Sequence, residues 1–275
     1  MNELAPLLII YVLLNLITFL PLSDGRERGK RIPIVTLTLI GINVGVHVVM
    51  AVIYPRQIGE VQTEALSYLF MLLPAGVMNG FTNGALTMIT SAFLHADWMH
   101  LAGNMFFLLF FGRKVEDLLG RSKFLLLYLV CIFTSGLGSV IGEIALPLWK
   151  GTIFNLGASG AIMGVIGAYL FLYSGEKIRT VVMPLGFLPL PLSFIPLPYF
   201  PRMTAGFFIG YQIAGDVVNG LLIEQFQKLG YNFSMTNSFA HLSGLVGGLI
   251  AIYLFLPRDM LHYRYQPNTK QRLTN

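Results

Sequence analysis

A chain of 275 residues that is 55% hydrophobic and 11% charged stands well apart from soluble domains, where about a quarter of residues are charged. With a mean hydropathy of +0.70, it is expected to cross a membrane several times. The net charge of +5 comes from Lys and Arg in short clusters between apolar runs, which is the pattern of topology signals and not of a nucleic-acid surface. The single cysteine, Cys131, has no partner for an intrachain disulfide or a cysteine-based metal site.

A hydrocarbon core of about 30 Å needs about 20 apolar residues in a helix. Seven runs qualify, near residues 5–22, 34–54, 96–112, 124–146, 158–173, 204–222 and 239–256. The first has no basic leader and no small-residue cleavage site, so it is expected to be a retained helix. Three parts follow: an extra N-terminal transmembrane helix (1–24), a membrane domain (25–257) and a basic tail (258–275). Residues 55–95 mix apolar and polar side chains with glycines and are expected to form a partly helical loop lying in the interface. Residues 184–201 carry six prolines, which excludes a spanning helix and leaves an interfacial loop. Fifteen of the 18 Lys and Arg residues fall on one face, against Arg56, Lys150 and Lys228 on the other. This bias puts the C-terminus in the cytoplasm and the N-terminus outside, and the compact chain with short tails fits a bacterial inner membrane.

Polar residues recur at one depth. The 15 steps from Ser159 to Ser174 cover roughly 22 Å at the helical rise, which leaves Ser159 below the outer surface. His241 lies the same 15 steps above Leu256. His100 is 13 residues, roughly 20 Å, from Arg113, with Asn104 one turn deeper on its face. Polar and ionisable groups inside spans are costly, so a hydroxyl, two imidazoles and a carboxamide at one level point to function. Gly160 and Gly164, like Gly244 and Gly248, form the small-xxx-small pattern of close helix packing, on the face that also carries His241.

This set suits acyl transfer. A neutral imidazole beside Ser159 would remove its proton as it attacks a carbonyl and return a proton to the leaving amine. Donors from His100, Asn104 and the Ser159 backbone N–H would stabilise the oxyanion. No third carboxylate is evident, so a Ser159–His241 dyad is expected. Gln212 and Asp216, one turn apart in the sixth run, are expected to face an outer water cavity, the other reading being that they border the path of an incoming substrate.

HADWMHLAGN in the third run, GASG opening the fifth and AHLSGLVGG in the last resemble the rhomboid family of intramembrane serine proteases, as does FGRKVEDLLGRSKFLLLYL. The resemblance covers roughly residues 30–257. It implies an all-α membrane protein with a six-helix rhomboid-like core, to which the helix at 5–22 is an addition. It makes Ser159 the nucleophile, His241 the general base, and His100 and Asn104 the oxyanion-hole side chains. His95 becomes a structural neighbour, Gly157 the support of the turn before the serine, and Gly244 and Gly248 the packing face of the last helix. Cleavage of single-span or multi-span membrane proteins in the bilayer, at a site open to the outer aqueous face, is implied, with no metal or organic cofactor. Two positions depart from the family pattern: Leu86 and Thr87 stand where many members have Trp-Arg, and Met163 where many have a Tyr packed on the imidazole. Two rival readings are a catalytically silent rhomboid-like protein that binds transmembrane helices, which would not require Ser159 and His241, and a transporter, against which stands the lack of two matching halves.

Overall fold

In lipid, backbone polar groups must be satisfied within the chain, so long apolar runs become helices. The computed structural model, which describes residues 17–23, 31–78, 80, 84–145, 155–184, 201–228 and 237–256, is predominantly helical. After a short strand β1 (Ile17–Ser23), α1 (Ile34–Ile58) runs through a π-helical turn at Val49–Ile53. The loop expected at 55–95 holds three short helices, α2 (Glu60–Tyr68), α3 (Pro74–Met78) and α4 (Gly84–Ser91). Then comes α5, made of Trp98–Phe107, a π-helical turn at Leu108–Gly112 and Arg113–Leu119. It is followed by α6 (Arg121–Ala145), α7 (Ser159–Tyr173), β2 (Lys177–Pro184), β3 (Arg202–Thr204), α8 (Ala205–Lys228) and α9 (Ser238–Phe255).

Among the described residues, α1, α6 and α9 are long and apolar enough to cross a membrane, and α7 and Ala205–Val218 are shorter apolar helices. Large apolar side chains stay on their outer faces, among them Leu126, Leu137, Ile141, Val246 and Ile250. A soluble protein would bury such a band; a bilayer covers it.

Glycine sets the centre. A Cβ on Gly244 would overlap the Gly160 carbonyl, and one on Gly248 the Gly164 carbonyl, so α7 and α9 touch backbone to backbone. A Cβ on Gly164 would also meet Cys131 of α6 and one on Gly160 would meet Ser135, which explains how α6 closes on the same pair. Around this contact, buried aromatic rings fill the space between helices: Phe111 of α5 packs edge-on to Tyr169 of α7 at 4.9 Å between centroids. At the end of α5 away from His100, buried Glu116 accepts from the backbone N–H groups of Val35 (2.9 Å) and Thr36 (2.8 Å) and from the Thr36 hydroxyl (2.7 Å). It thereby satisfies the exposed donors at the start of α1 and ties the two helices together.

The first expected span needs correction. Of residues 5–22, the described part is strand: Ile17–Ser23 pairs antiparallel with Lys177–Pro184, which pairs in turn with Arg202–Thr204. The register shifts between Pro21 and Ser23, and a proline that cannot donate to a ladder is tolerated at such a bulge on an edge strand. Phe19 packs edge-on against Tyr211 of α8 at 4.9 Å between centroids. Since β2 follows the end of α7 opposite Ser159 and the sheet carries Lys177, Arg179 and Arg202, β1 lies with the basic face. Residues 5–16, the proline-rich stretch at 185–200 and the tail at 258–275 lie outside the described residues.

Candidate active site

The segment before Ser159 is pinned from two sides. Asn155 exchanges backbone hydrogen bonds with Leu72 (2.8 and 3.1 Å), and the Gly157 N–H donates to the Ser91 carbonyl (2.9 Å). Asn237 caps α9 by accepting from the Ala240 N–H (2.9 Å), and its amide donates to Asn155 Oδ1 (2.5 Å). The loop preceding α7 and the start of α9 are therefore one hydrogen-bonded unit. Gly157 sits at φ +114°, where a side chain would be strained, and a Cβ there would lie 2.9 Å from the His100 ring and 3.6 Å from Asn104 Nδ2. Gly157 therefore both turns the chain and lets it pass against those two side chains.

Ser159 is the first residue of α7, so its backbone N–H belongs to the helix-start donors without an intrahelical partner. Its Oγ lies 2.8 Å from His241 Nε2. On α5, Asp97 caps the helix by accepting from the His100 N–H at 2.8 Å. One face of that helix presents His100 and Asn104 toward Gly157. The Asn104 amide donates to Nε2 of buried His95 at 2.9 Å, and the His95 and His100 rings meet edge-on at 5.1 Å between centroids. His95 thus fixes how the carboxamide is presented. His47 of α1 extends the cluster, its ring 6.4 Å from that of His95 and 4.5 Å from that of Trp98. Met163 is buried in the core on α7. Leu86 and Thr87 lie in α4, with the Thr87 hydroxyl turned back on the Gly84 carbonyl (3.3 Å).

The structure brings Ser159 to His241, and His100 and Asn104 to Gly157 with His95 behind Asn104, while Gly160, Met163, Gly244 and Gly248 belong to the packing of the helices; one expectation is corrected. Asp216 does not simply face an outer cavity: its Oδ2 lies 3.1 Å from His241 Nδ1, with 12% of the histidine side chain and 13% of the aspartate exposed. Ser159, His241 and Asp216 therefore form a line of three groups, where a dyad was expected. Asp216 and His241 are 25 residues apart on different helices, so only the packing of α8 beside α9 brings them together. Asn155 and Asn237 were also missed, although an Asn one residue before an apolar helical run is a legible capping signal for the latter. No group of three or more His, Cys, Asp or Glu side chains suited to a metal ion occurs among the described residues.

A hydroxyl hydrogen-bonded to an imidazole, at one end of packed apolar helices, is thus held within an integral membrane protein. Consistent with this, the family model described as "Rhomboid domain" matches residues 82–258. The chain belongs to the rhomboid family. It is similar to Rhomboid-like protein 11, chloroplastic, of Arabidopsis thaliana (27% identity over 168 residues, 60% of this chain and 51% of that one). It is also similar to a Bacillus subtilis (strain 168) protein that carries, provisionally, the name rhomboid protease YdcA (33% over 132 residues, 44% and 63%). Rhomboid protein 1, mitochondrial, of Saccharomyces cerevisiae is 32% identical over 112 residues (38% and 30%). The matched part of each relative is thus between about a third and two thirds of its length.

Proposed function

We propose that this protein is an intramembrane serine endopeptidase that cleaves single-span or multi-span membrane proteins through an acyl-enzyme. The observation that carries the proposal is the 2.8 Å contact between Ser159 Oγ and His241 Nε2. As Ser159 Oγ bonds to the scissile carbonyl carbon, its proton passes to Nε2 and the carbonyl π electrons move onto oxygen. The Ser159 N–H, the Asn104 amide and the His100 ring are the donors for that oxyanion. Collapse breaks the C–N bond, and the proton on Nε2 goes to the leaving amine. Water activated by the same imidazole then releases the acyl group. His95 serves by holding Asn104, Gly157 by admitting the carbonyl beside His100, and Met163 by packing the core face of α7. The chemistry calls for no metal or organic cofactor.

The site opens toward the outer aqueous face, and the basic side, with the sheet and the C-terminus, faces the cytoplasm of a bacterial inner membrane. The same charge bias, with Arg26, Arg28, Lys30 and Arg31 following β1 on the cytoplasmic side, puts the N-terminus outside.

The test co-expresses the chain with a single-span substrate and compares Ser159→Ala and His241→Ala with the parent. Both are expected to abolish cleavage, by about a thousandfold or more, while leaving the protein folded. A fluorophosphonate probe is expected to label the parent and not Ser159→Ala. Cleavage that survives in Ser159→Ala removes the mechanism, and a parent that binds spanning helices without cleaving or labelling identifies a silent relative.

A further inference from the structure

Asp216 is an ionised-type side chain in the body of an apolar helix, where an unpaired carboxylate is costly. Its Oδ2 faces His241 Nδ1 at 3.1 Å, and the opposite ring nitrogen faces Ser159 Oγ at 2.8 Å. We propose that Asp216 is the positioning residue of the site, extending the proposed Ser159–His241 pair to a line of three groups. The inference rests on the serine-protease reading of the same site.

The argument is one of donors and acceptors. A carboxylate only accepts hydrogen bonds, so the proton of neutral His241 must sit on Nδ1. That leaves the Nε2 lone pair free to accept from the Ser159 hydroxyl, which is the tautomer a general base requires. In the other tautomer Nε2–H would donate to the hydroxyl and could take no proton. When Nε2 gains the Ser159 proton, the Nδ1 proton stays on nitrogen, and the carboxylate, unchanged in charge, balances the imidazolium. Both side chains are about seven-eighths buried, so solvent is a poor substitute for this partner.

The roles on offer for Asp216 differ in what its replacements do. In Asp216→Asn the amide can donate to Nδ1 and hold the wrong tautomer, whereas Asp216→Ala leaves the ring free to exchange tautomers. Full-length Asp216→Asn, Asp216→Ala and Asp216→Glu are compared with the parent for kcat and KM on a single-span substrate, for the rate of fluorophosphonate labelling and for unfolding temperature. Asp216→Asn is expected to lower kcat by about 10²- to 10⁴-fold. Its KM should stay within about threefold, its unfolding temperature should be parental, and labelling should slow in parallel. Asp216→Ala should lose less than Asp216→Asn, and Asp216→Glu should recover part of the rate. The inference is overturned if Asp216→Asn labels and turns over at the parental rate, or if the loss falls in KM alone, which would assign Asp216 to the substrate path. It is also overturned if all three variants lose activity only in proportion to lost fold. If the parent itself neither labels nor cleaves, the protease reading fails first and this inference with it; a parent that labels, beside an Asp216→Asn that labels equally, removes Asp216 alone.

Discussion

Two of the helices that meet α9, α7 and α8, do so in opposite ways. Against α7 it is locked, since Gly244 and Gly248 stand directly on the carbonyls of Gly160 and Gly164. On α8, by contrast, a Cβ added at Gly210 or Gly215 would meet nothing within 4 Å, and at Gly206 only the Ser174 carbonyl at 3.5 Å. The proposed nucleophile and base therefore sit on two helices locked backbone to backbone, while Asp216 comes from a helix on which Gly206, Gly210 and Gly215 enforce no close approach. Close packing presets the bond between hydroxyl and imidazole; the carboxylate is held chiefly by its own contact with His241 and by the neighbours of α8.

The sharpest way to break this contrast is to put methyl groups into the locked interface. Gly244→Ala and Gly248→Ala must push backbone against backbone, which no side-chain rotation relieves, at a cost of about 1–3 kcal/mol each. A displacement of even 1 Å between the reacting groups costs about a hundredfold in rate. Cleavage should thus fall by at least that factor in the protein that remains folded, with a lower unfolding temperature in detergent. Parental activity in Gly244→Ala would mean that the interface does not set the Ser159–His241 distance.

Asn104→Ala removes a proposed oxyanion donor and also leaves Nε2 of buried His95 without its partner. Losing one oxyanion donor is expected to lower kcat by about 10²- to 10³-fold with KM little changed, while the unpaired His95 should cost about 1–3 kcal/mol of stability. A rate loss under fivefold would remove Asn104 from the donor set. Smaller in activity but visible in stability is Glu116→Ala, far from the site. It strips three hydrogen bonds from the start of α1 and should cost about 1–3 kcal/mol, with turnover by the folded fraction preserved.

Much of this was legible in the residues because the bilayer supplies a ruler. Counting helical rises from basic boundaries put Ser159, His241, His100 and Asn104 at one level, and the small-xxx-small pairs named the faces that meet. What could not be read was lateral placement: nothing in the spacing says which of several helices will stand behind the imidazole, so Asp216 looked like a residue facing water. The strand at Ile17–Ser23 failed for a different reason. An apolar run of this kind satisfies a helix-length window, and only its β-branched start, Ile17-Thr18, and Pro21 argue for strand; its partner Lys177–Pro184 lies 160 residues away. Where pairing is that distant, local periodicity carries no information about it.

The open side of the comparison can be tested with the same substitution that should damage the locked side. Gly210→Ala places a methyl group on α8 where, among the described residues, no atom beyond the helix's own adjacent backbone lies within 4 Å, in the interior of a helix in which glycine costs about 0.5–1 kcal/mol relative to alanine. With no contact to disturb, the change should leave kcat and KM within about twofold and raise the unfolding temperature slightly, by stiffening the unfolded chain. If Gly210→Ala instead impairs cleavage while the fold is kept, α8 must bend or shift during turnover in a way that the glycine permits. Its open packing beside Asp216 would then be a working feature of the site, and the contrast between the two helices would be one of motion as well as of packing.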